Sequence, residues 1–175
     1  CLAFYNLQDF IGEDSINAAL SNFIDKYSNK DAPYPTSLDL LSVIRERVPD
    51  SLDYVVRDWF ETITLYGNRA DSVQYQELDG GQYLVEIHTT TNKFQSDSLG
   101  RQQKMELNDW LDIGVYTKTS SNEDSLIYLK KVLITEKENT YEIVVNQKPS
   151  KAGIDPINKQ VDRNLLDNVR KALPI

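Results

Sequence analysis

The sequence has few of the residues on which most catalytic and metal sites depend. Its 175 residues include one cysteine, Cys1, and one histidine, His88. A single cysteine excludes an internal disulfide and any zinc site built from cysteine ligands. A single histidine excludes every metal or catalytic motif that needs two. The sequence also has no glycine-rich phosphate loop and no G-x-S-x-G motif, so we identify no catalytic, cofactor-binding or metal-binding residue in it.

Basic residues and long apolar runs are also scarce. Lysine and arginine number 19 against 27 aspartate and glutamate residues, which gives a net charge of −8 at pH 7. An acidic surface gains no free energy from counterion release on a nucleic acid, and it lacks the polybasic patch that binds an anionic membrane surface. No apolar run approaches the ~18 residues that a membrane-spanning helix needs. We therefore expect no nucleic-acid partner.

Cys1 allows two interpretations. A mature bacterial lipoprotein begins with a lipid-carrying cysteine. The residues that follow here are Leu-Ala-Phe-Tyr, which is typical of the middle of a helix and not of a polar tether. This favours the second interpretation, in which Cys1 marks a cut within a longer protein.

The first third of the sequence has helical periodicity. Apolar residues recur at helical spacing in four segments, which begin near Phe4, Ile16, Leu38 and Leu52. Each segment has one apolar face, as expected of a helix that packs on one side only. We therefore predict three to four short helices in residues 1–66.

The period changes from 3.6 to 2 after residue 67. Val73 and Tyr75 begin an alternating pattern, and residues 79–81, Asp-Gly-Gly, provide the turn chemistry of a hairpin. Six or so short strands without intervening helical patterns are typical of an antiparallel sandwich. The predicted fold is thus α+β: an N-terminal bundle of three to four helices in residues 1–66, followed by an antiparallel β-sandwich in residues 67–175.

Some polar residues have a spacing compatible with chemistry. His88 shares a strand face with Glu86, and a carboxylate in that position can orient a general base. The simpler interpretation is that both residues lie on a solvated strand face. Asp109 and Asp112, and likewise Asp71 with Glu77 and Asp79, supply oxygen atoms of the kind that bind calcium, but their spacing fits no EF-hand loop. A solvated acidic face is the alternative.

The aromatic residues of the predicted strands allow a sugar-binding interpretation. Trp110, Tyr116, Tyr128 and Tyr141 would form a stacking platform if they shared one sheet face. Aromatic residues in strands also serve as core residues or as cross-strand pairs. The sequence leaves both interpretations open.

Several motifs resemble a known family. Residues 4–14 and 17–20 resemble the helix pair that follows the active site in zinc aminopeptidases of the aminopeptidase N family. The segments that are similar to later parts of its helical region are residues 33–40 and 60–66. A bacterial branch, in which the peptidase region is often fused to an ABC-type transporter permease, is similar to this chain at residues 107–115, 151–159 and 162–164.

The resemblance implies a noncatalytic C-terminal portion of a zinc-dependent aminopeptidase-like protein. The family holds zinc with His-Glu-x-x-His and a glutamate from the next helix, and a separate tyrosine stabilises the oxyanion. His88 alone cannot supply these groups, so the resemblance implies that zinc and every catalytic residue lie upstream of Cys1, with no cofactor in this fragment. The parent would be a membrane-associated bacterial protein that hydrolyses N-terminal residues from peptides.

The resemblance also implies which partners to expect. They are the upstream peptidase domain of the same polypeptide, a peptide substrate for the parent, and a possible transporter permease region. The helices should then lack part of their packing partner, so some of five apolar residues should remain unusually exposed or lie in a dimer contact. These residues are Phe4, Leu7, Phe10, Phe23 and Trp59. The alternative function is an extracytoplasmic β-sandwich that binds a protein or a glycan.

Overall fold

The computed structural model describes residues 2–175 and shows an α+β fold. Cys1, with its two interpretations, lies outside the described residues. The chain divides into two compact units, Cys1–Thr64 and Leu65–Ile175, which we call the helical unit and the sheet unit. Within residues 2–175, no helix is both long enough and apolar enough to cross a lipid bilayer.

The helical unit contains short helices joined by tight turns. The described part of the chain has four α-helices: α1 (Leu2–Ile11), α2 (Glu13–Tyr27), α3 (Ser37–Arg45) and α4 (Asp53–Val56). Gly12, at a φ of 85°, separates α1 from α2, a backbone angle that glycine adopts without strain. Thr36 begins α3 with a capping box, in which its backbone N–H and its hydroxyl donate to Asp39 Oδ2 at 2.7 Å and 2.9 Å.

The last predicted helix is shorter than its apolar pattern suggested. The segment that follows α4, Arg57–Glu61, forms a π-helical turn, and the first strand already begins at Ile63. The sequence interpretation had extended the helical region to residue 66. Ile63 belongs instead to a strand in which successive side chains alternate between burial and exposure. Its position also fits the helical spacing of the preceding apolar residues, so the spacing alone did not show where the helix ends.

The helices share one small core. Its buried members come from all four helices: Leu7, Ile16, Ala19, Leu41, Val43, Ile44, Val55 and Val56. Two residues on the apolar faces of α2 and α3 lie at the surface and not in this core, since Ile24 is 60% exposed and Leu38 is 70% exposed. The spacing of apolar residues shows which face of a helix is apolar, but not whether a neighbouring element covers that face along the whole helix.

The described residues contain nine strands. They are β1 (Ile63–Glu77), β2 (Tyr83–Ser96), β3 (Gln102–Met105), β4 (Asp109–Lys118), β5 (Asp124–Ile134), β6 (Glu138–Val145), β7 (Pro149–Ile154), β8 (Val169–Lys171) and β9 (Leu173–Pro174). The predicted turn at Asp79–Gly81 is a single 3₁₀ turn between β1 and β2, with positive φ angles at Gly80 and Gly81. The sequence of residues 166–173 is also compatible with a last helical turn or two, but this segment contains β8 and the first residue of β9.

The strands form two sheets. One sheet has the order β3–β2–β1–β9, with β6 also paired to β2, and the other has the order β5–β4–β7–β8. β2 pairs antiparallel with β3 and β6, and β4 does so with β5 and β7. β9 pairs parallel with β1, with Gln74 opposite Leu173, so the first sheet is mixed, and the antiparallel arrangement that the sequence predicts includes one short parallel pair. The parallel pair arises because the chain leaves β8 in the second sheet and reaches the first sheet beside β1.

Both sheets contribute to one apolar core. Its largest fully buried side chains alternate along the central strands: Val73, Val85, Ile87, Leu111, Ile113, Val115, Ile134 and Ile154. The period-2 pattern of β2 is confirmed at Val85 and Ile87, which are both fully buried. This core lies in the sheet unit alone and does not include helical residues.

Residues 155–168, which we call the connecting segment, join β7 to β8 and cover the free edge of β1. The Tyr66 N–H donates to the Val161 carbonyl at 2.9 Å, and the Ala70 N–H donates to the Asp167 carbonyl at 2.9 Å. The Asn68 N–H donates to the Asp162 carboxylate at 2.8 Å. An uncovered strand edge is a site of aggregation, so the connecting segment has a clear structural role.

Candidate functional site

An apolar groove lies on the helical unit. Its volume is about 500 Å³. The side chains that line it are Phe4, Ser37, Leu38, Leu40, Leu41, Phe60 and Glu61. We call this feature the helical groove. Its aromatic wall is held by an edge-to-face contact between Phe4 and Phe60, whose ring centroids are 5.2 Å apart.

Arg45 fixes the rim of the helical groove. Its Nη1 and Nη2 donate to the two carboxylate oxygens of Glu61 at 2.7 Å and 2.8 Å, and its Nε donates to Asp53 at 2.9 Å. These hydrogen bonds lower the pKa of Glu61 and, reciprocally, raise the pKa of Arg45. The three bonds tie α3 to α4 and to the turn that carries Phe60, so the groove has a defined shape.

The apolar surface of the helical unit extends beyond the groove. Leu38 is 70% exposed and Ile24 is 60% exposed, and Tyr5 and Leu2 are also exposed. Of the five residues that the sequence singled out, Leu7 is fully buried and the other four are partly buried. The most exposed apolar side chains of this unit are therefore not among these five, because the apolar face of a helix does not show how deeply each of its residues is buried.

His88 lies in a cross-strand contact on β2. One ring nitrogen, Nε2, is 2.6 Å from Glu86 Oε1, and the other, Nδ1, is 2.8 Å from Thr140 Oγ1. Thr140 is the residue directly opposite on β6. Both ring nitrogens are thus engaged on a partly exposed strand face, as the simpler interpretation of this residue proposed.

The structure separates the two aspartates of β4. Asp109 lies on the core face, where its Oδ1 accepts from the Tyr66 hydroxyl at 2.9 Å and from Lys93 Nζ at 2.7 Å. Asp112 lies on the opposite face, because strand residues alternate. The calcium interpretation needed their oxygens on one side. Across residues 2–175, no group of three or more His, Cys, Asp or Glu side chains has a metal-binding arrangement.

The acidic residues of the first hairpin are not gathered either. Asp71 accepts from the Thr90 hydroxyl at 2.5 Å and from Arg69 Nε at 2.6 Å. Burial raises the pKa of Asp71, but these hydrogen bonds lower it by more, so its pKa lies below the usual range. Asp79 lies in the turn and Glu77 ends β1. Asp71 therefore acts as a cross-strand acceptor.

The four aromatic residues do not share one surface. Trp110 and Tyr116 lie on the same face of β4, whereas Tyr128 is opposite the buried Val115 and so lies on the core face. Tyr141 pairs with Ile87 in the other sheet. Trp110 remains 41% exposed beside Leu133, which is its cross-strand neighbour and is 44% exposed. Of the four aromatic residues proposed for the platform, Trp110 is therefore the most exposed.

A buried charged cluster, which sequence reasoning missed, joins two of the family-like motifs. Lys159 Nζ lies 3.0 Å from Asp112 Oδ2, and both side chains are about 5% exposed. Lys131 donates to the other carboxylate oxygen of Asp112 at 3.1 Å. Asp112 and Lys159 are 47 residues apart, so no local sequence pattern could have predicted that they form a pair. The only signal in the sequence was that each lies in one of the motifs at residues 107–115 and 151–159.

Asp155 anchors the start of the connecting segment. Its two carboxylate oxygens accept the backbone N–H groups of Lys159 and Gln160 at 2.8 Å and 3.0 Å. Burial raises the pKa of Asp155 to about 6, against the lowering effect of these two hydrogen bonds. The Asp-Pro-Ile-Asn-Lys motif is thus a structural device that turns the chain and places the Lys159 ammonium beside Asp112.

Comparisons with known proteins add no family assignment. No family model matches the chain, and a search of curated proteins found no match. The proposals below therefore rest on the motifs of the sequence and on the geometry described above.

Proposed function

We propose that this chain is the noncatalytic C-terminal portion of a zinc-dependent aminopeptidase-like protein. The parent would hydrolyse N-terminal residues from peptides, with zinc held by residues upstream of Cys1. Residues 1–66 would form the C-terminal end of the catalytic domain as a bundle of three to four helices. Residues 67–175 would form a β-sandwich of two largely antiparallel sheets.

The observation that carries this proposal is the apolar surface of the helical unit. The helical groove is lined mainly by aliphatic and aromatic side chains, and Leu38 on its rim is 70% exposed. Burial of apolar surface contributes about 25 cal/mol per Å². An upstream peptidase domain that inserts apolar side chains into the groove would gain this free energy, and Arg45 keeps the groove open for it.

The proposal assigns partners as follows. The helical groove takes the upstream peptidase domain of the same polypeptide, and the peptide substrate binds to that domain. A transporter permease region of a membrane-associated bacterial parent is a further possible neighbour. The net charge of −8 supports the absence of nucleic acid from this set.

The first test reads the coding sequence upstream of Cys1 over ~300 codons, about one to three domain lengths. We expect a His-Glu-x-x-His motif, a downstream glutamate and a tyrosine shortly before Cys1. An open reading frame without the histidine pair would contradict the peptidase function. A start codon and lipoprotein signal directly before Cys1 would contradict the whole proposal.

The second test asks whether the helical groove is covered in the longer protein. We would introduce Leu38→Glu into the longer protein and compare it with Leu99→Glu, since Leu99 is 74% exposed in a loop of the sheet unit. We expect Leu38→Glu, but not Leu99→Glu, to accelerate limited proteolysis between the upstream peptidase domain and the helical unit. The reason is that Leu38→Glu would bury a charge at the interface between them. Equal effects of the two variants would show that the groove stays open.

The second candidate function is an extracytoplasmic binding module for a protein or glycan partner. The exposed pair of Trp110 and Leu133 favours it, since an indole ring beside an apolar side chain suits the face of a sugar. Tryptophan fluorescence during titration with oligosaccharides tests it, with Trp110→Phe as the variant that should lose the response. Without any quenching at millimolar sugar, the glycan version is wrong.

A further inference from the structure

A second cleft lies in the sheet unit, and lysine side chains dominate its charge. Its volume is about 690 Å³, and its lining includes Lys118, Lys148, Lys151 and Lys171. We call it the lysine cleft. The remaining walls are largely apolar and include the ring of Tyr75. A cleft of this size falls in the range of small-molecule sites, about 300–1,000 Å³.

One carboxylate, Asp124, lines the lysine cleft. Its two oxygens pair with Lys118 Nζ at 3.0 Å and with Lys151 Nζ at 2.9 Å. These hydrogen bonds lower the pKa of Asp124, so it stays ionised at neutral pH. Four positive side chains and one negative side chain leave a net charge of +3 on the lining, in a protein whose overall net charge is −8.

Two of the lysines face each other across neighbouring strands. Lys151 on β7 is directly opposite Lys171 on β8 in the antiparallel register. Like charges in this position are destabilising. The Lys151 ammonium forms an ion pair with Asp124 and lies 4.6 Å from the ring centroid of Tyr116. Among residues 2–175, no carboxylate forms an ion pair with Lys171, so its charge is left uncompensated within the protein.

The cleft also holds further unpaired polar groups. The ammonium of Lys148 lies 6.0 Å from the Tyr75 ring centroid and has no ion-pair partner in the described part of the chain. The Ser150 hydroxyl is buried, and within residues 2–175 no hydrogen-bond partner reaches it. Buried polar groups are rarely left unsatisfied. Ser150 lines the same cleft as the lysines, but its hydroxyl oxygen is itself buried, so the lysine ammonium groups carry the argument.

From these observations we propose that the lysine cleft binds a small organic phosphate. Its phosphate group would lie between Lys148 and Lys171 and offset the repulsion between Lys171 and Lys151. Lysine binds phosphate as a point charge, while a planar carboxylate is matched best by arginine, which the cleft lining lacks. The Tyr75 ring and the neighbouring apolar walls would hold the organic body, which inorganic phosphate does not have. This site goes beyond the proposed peptidase role and does not depend on it.

Calorimetric titration of the whole 175-residue chain tests the site. The probe is phenyl phosphate, with phenol as the uncharged analogue and inorganic phosphate as the anion without a body. The test variant is Lys148→Gln/Lys171→Gln, and the matched control is Lys104→Gln/Lys137→Gln, which removes two exposed lysines outside the cleft. All four positions are exposed, so we expect both variants to keep the circular dichroism of the parent.

We expect saturable binding of phenyl phosphate, weaker binding of inorganic phosphate, and no binding of phenol. The test variant should weaken phenyl phosphate binding about tenfold or more, while the control changes it less than about twofold. Equal losses in the two variants, or no saturable binding of phenyl phosphate, would overturn the proposal. So would binding of vesicles of phosphatidylserine or of a polyglutamate peptide by a chain that does not bind phenyl phosphate, because the occupant would then be a membrane or an acidic segment.

Discussion

The two units of this protein differ in how they hold charged side chains. The sheet unit buries charged side chains, and each one has partners: Asp109 with Lys93 and Tyr66, and Asp112 with Lys159. In the helical unit, the pairs of Arg45 with Asp53 and Glu61 are partly exposed, and Asp58 pairs with Arg57, which is 56% exposed. Both units leave large apolar side chains at the surface, such as Leu38 in the helical unit and Leu99 in the sheet unit. A buried charge that is fully paired needs no further partner, whereas an exposed apolar surface can be covered by a binding partner. The exposed side chain of Leu38 lines the helical groove, and for this reason the functional proposal assigns docking to the helical unit.

The largest expected effect tests whether the interior of the sheet unit depends on its buried charges. Lys159→Met leaves Asp112 buried with only Lys131 as a partner. We expect a loss of about 3 kcal/mol or more in the free energy of unfolding of the sheet unit, since the buried Asp112 carboxylate would be compensated by Lys131 alone. Urea denaturation, with hydrogen exchange of β4 and β7 peptides, measures it.

The matched control for that variant is Lys137→Met. Lys137 forms an exposed ion pair with Glu138 at 3.4 Å. Its removal should change stability by less than about 0.5 kcal/mol, because exposed pairs contribute little. Similar losses for the two lysine variants would remove the distinction between a charged interior and a charged surface in this unit.

A pH series sharpens the comparison at Asp155. Its pKa in the folded protein is raised to about 6 from 3.8, so the folded state holds a proton that the unfolded state has already released. Stability from this group is therefore present below pH 3.8 and is lost as pH rises to about 6, by up to about 3 kcal/mol. Asp155→Asn should remove this component, which urea denaturation at intervals from pH 4 to pH 7 would detect. A variant whose stability follows the parent at every pH would contradict it.

The smallest effect concerns the helical unit. Leu38→Ala in the 175-residue chain should change stability by less than about 0.5 kcal/mol, because the side chain is 70% exposed. Leu41→Ala, three residues along the same helix, should cost about 2–5 kcal/mol, since Leu41 is buried in the core. Thermal denaturation of both variants makes the comparison. A large loss from Leu38→Ala would mean that this surface is already covered, for example by a second copy of the chain.

The sequence pattern correctly predicted structural elements that depend on residues close together in the chain. Alternation identified Val85 and Ile87 as core residues because a strand that is buried on one face must alternate. Gly12 ends α1 for a similarly local reason, since its φ of 85° suits few other residues. Both features depend on neighbours within a few residues, which is the range over which a sequence can be read directly.

The features that escaped prediction depend on contacts between distant residues. The parallel pairing of β9 with β1 joins Gln74 to Leu173, and the burial of Lys159 requires Asp112 from another strand. The lysine cleft escaped for the same reason, because it combines lysines from three strands and one loop. Charged residues in a sequence are ordinarily read as solvated, and only the assembled sheets show which of them are buried or face one another.

The connecting segment sets an order of events during synthesis. The N–H groups at the edge of β1 donate to Val161, Asp162 and Asp167, which lie more than 90 residues later in the chain. A chain that emerges from the ribosome amino end first therefore exposes the β1 edge until nearly all of the sheet unit has been made. The β1 edge can therefore be covered only late in synthesis, whereas the helices, whose contacts are local, can form while the strands are still being translated.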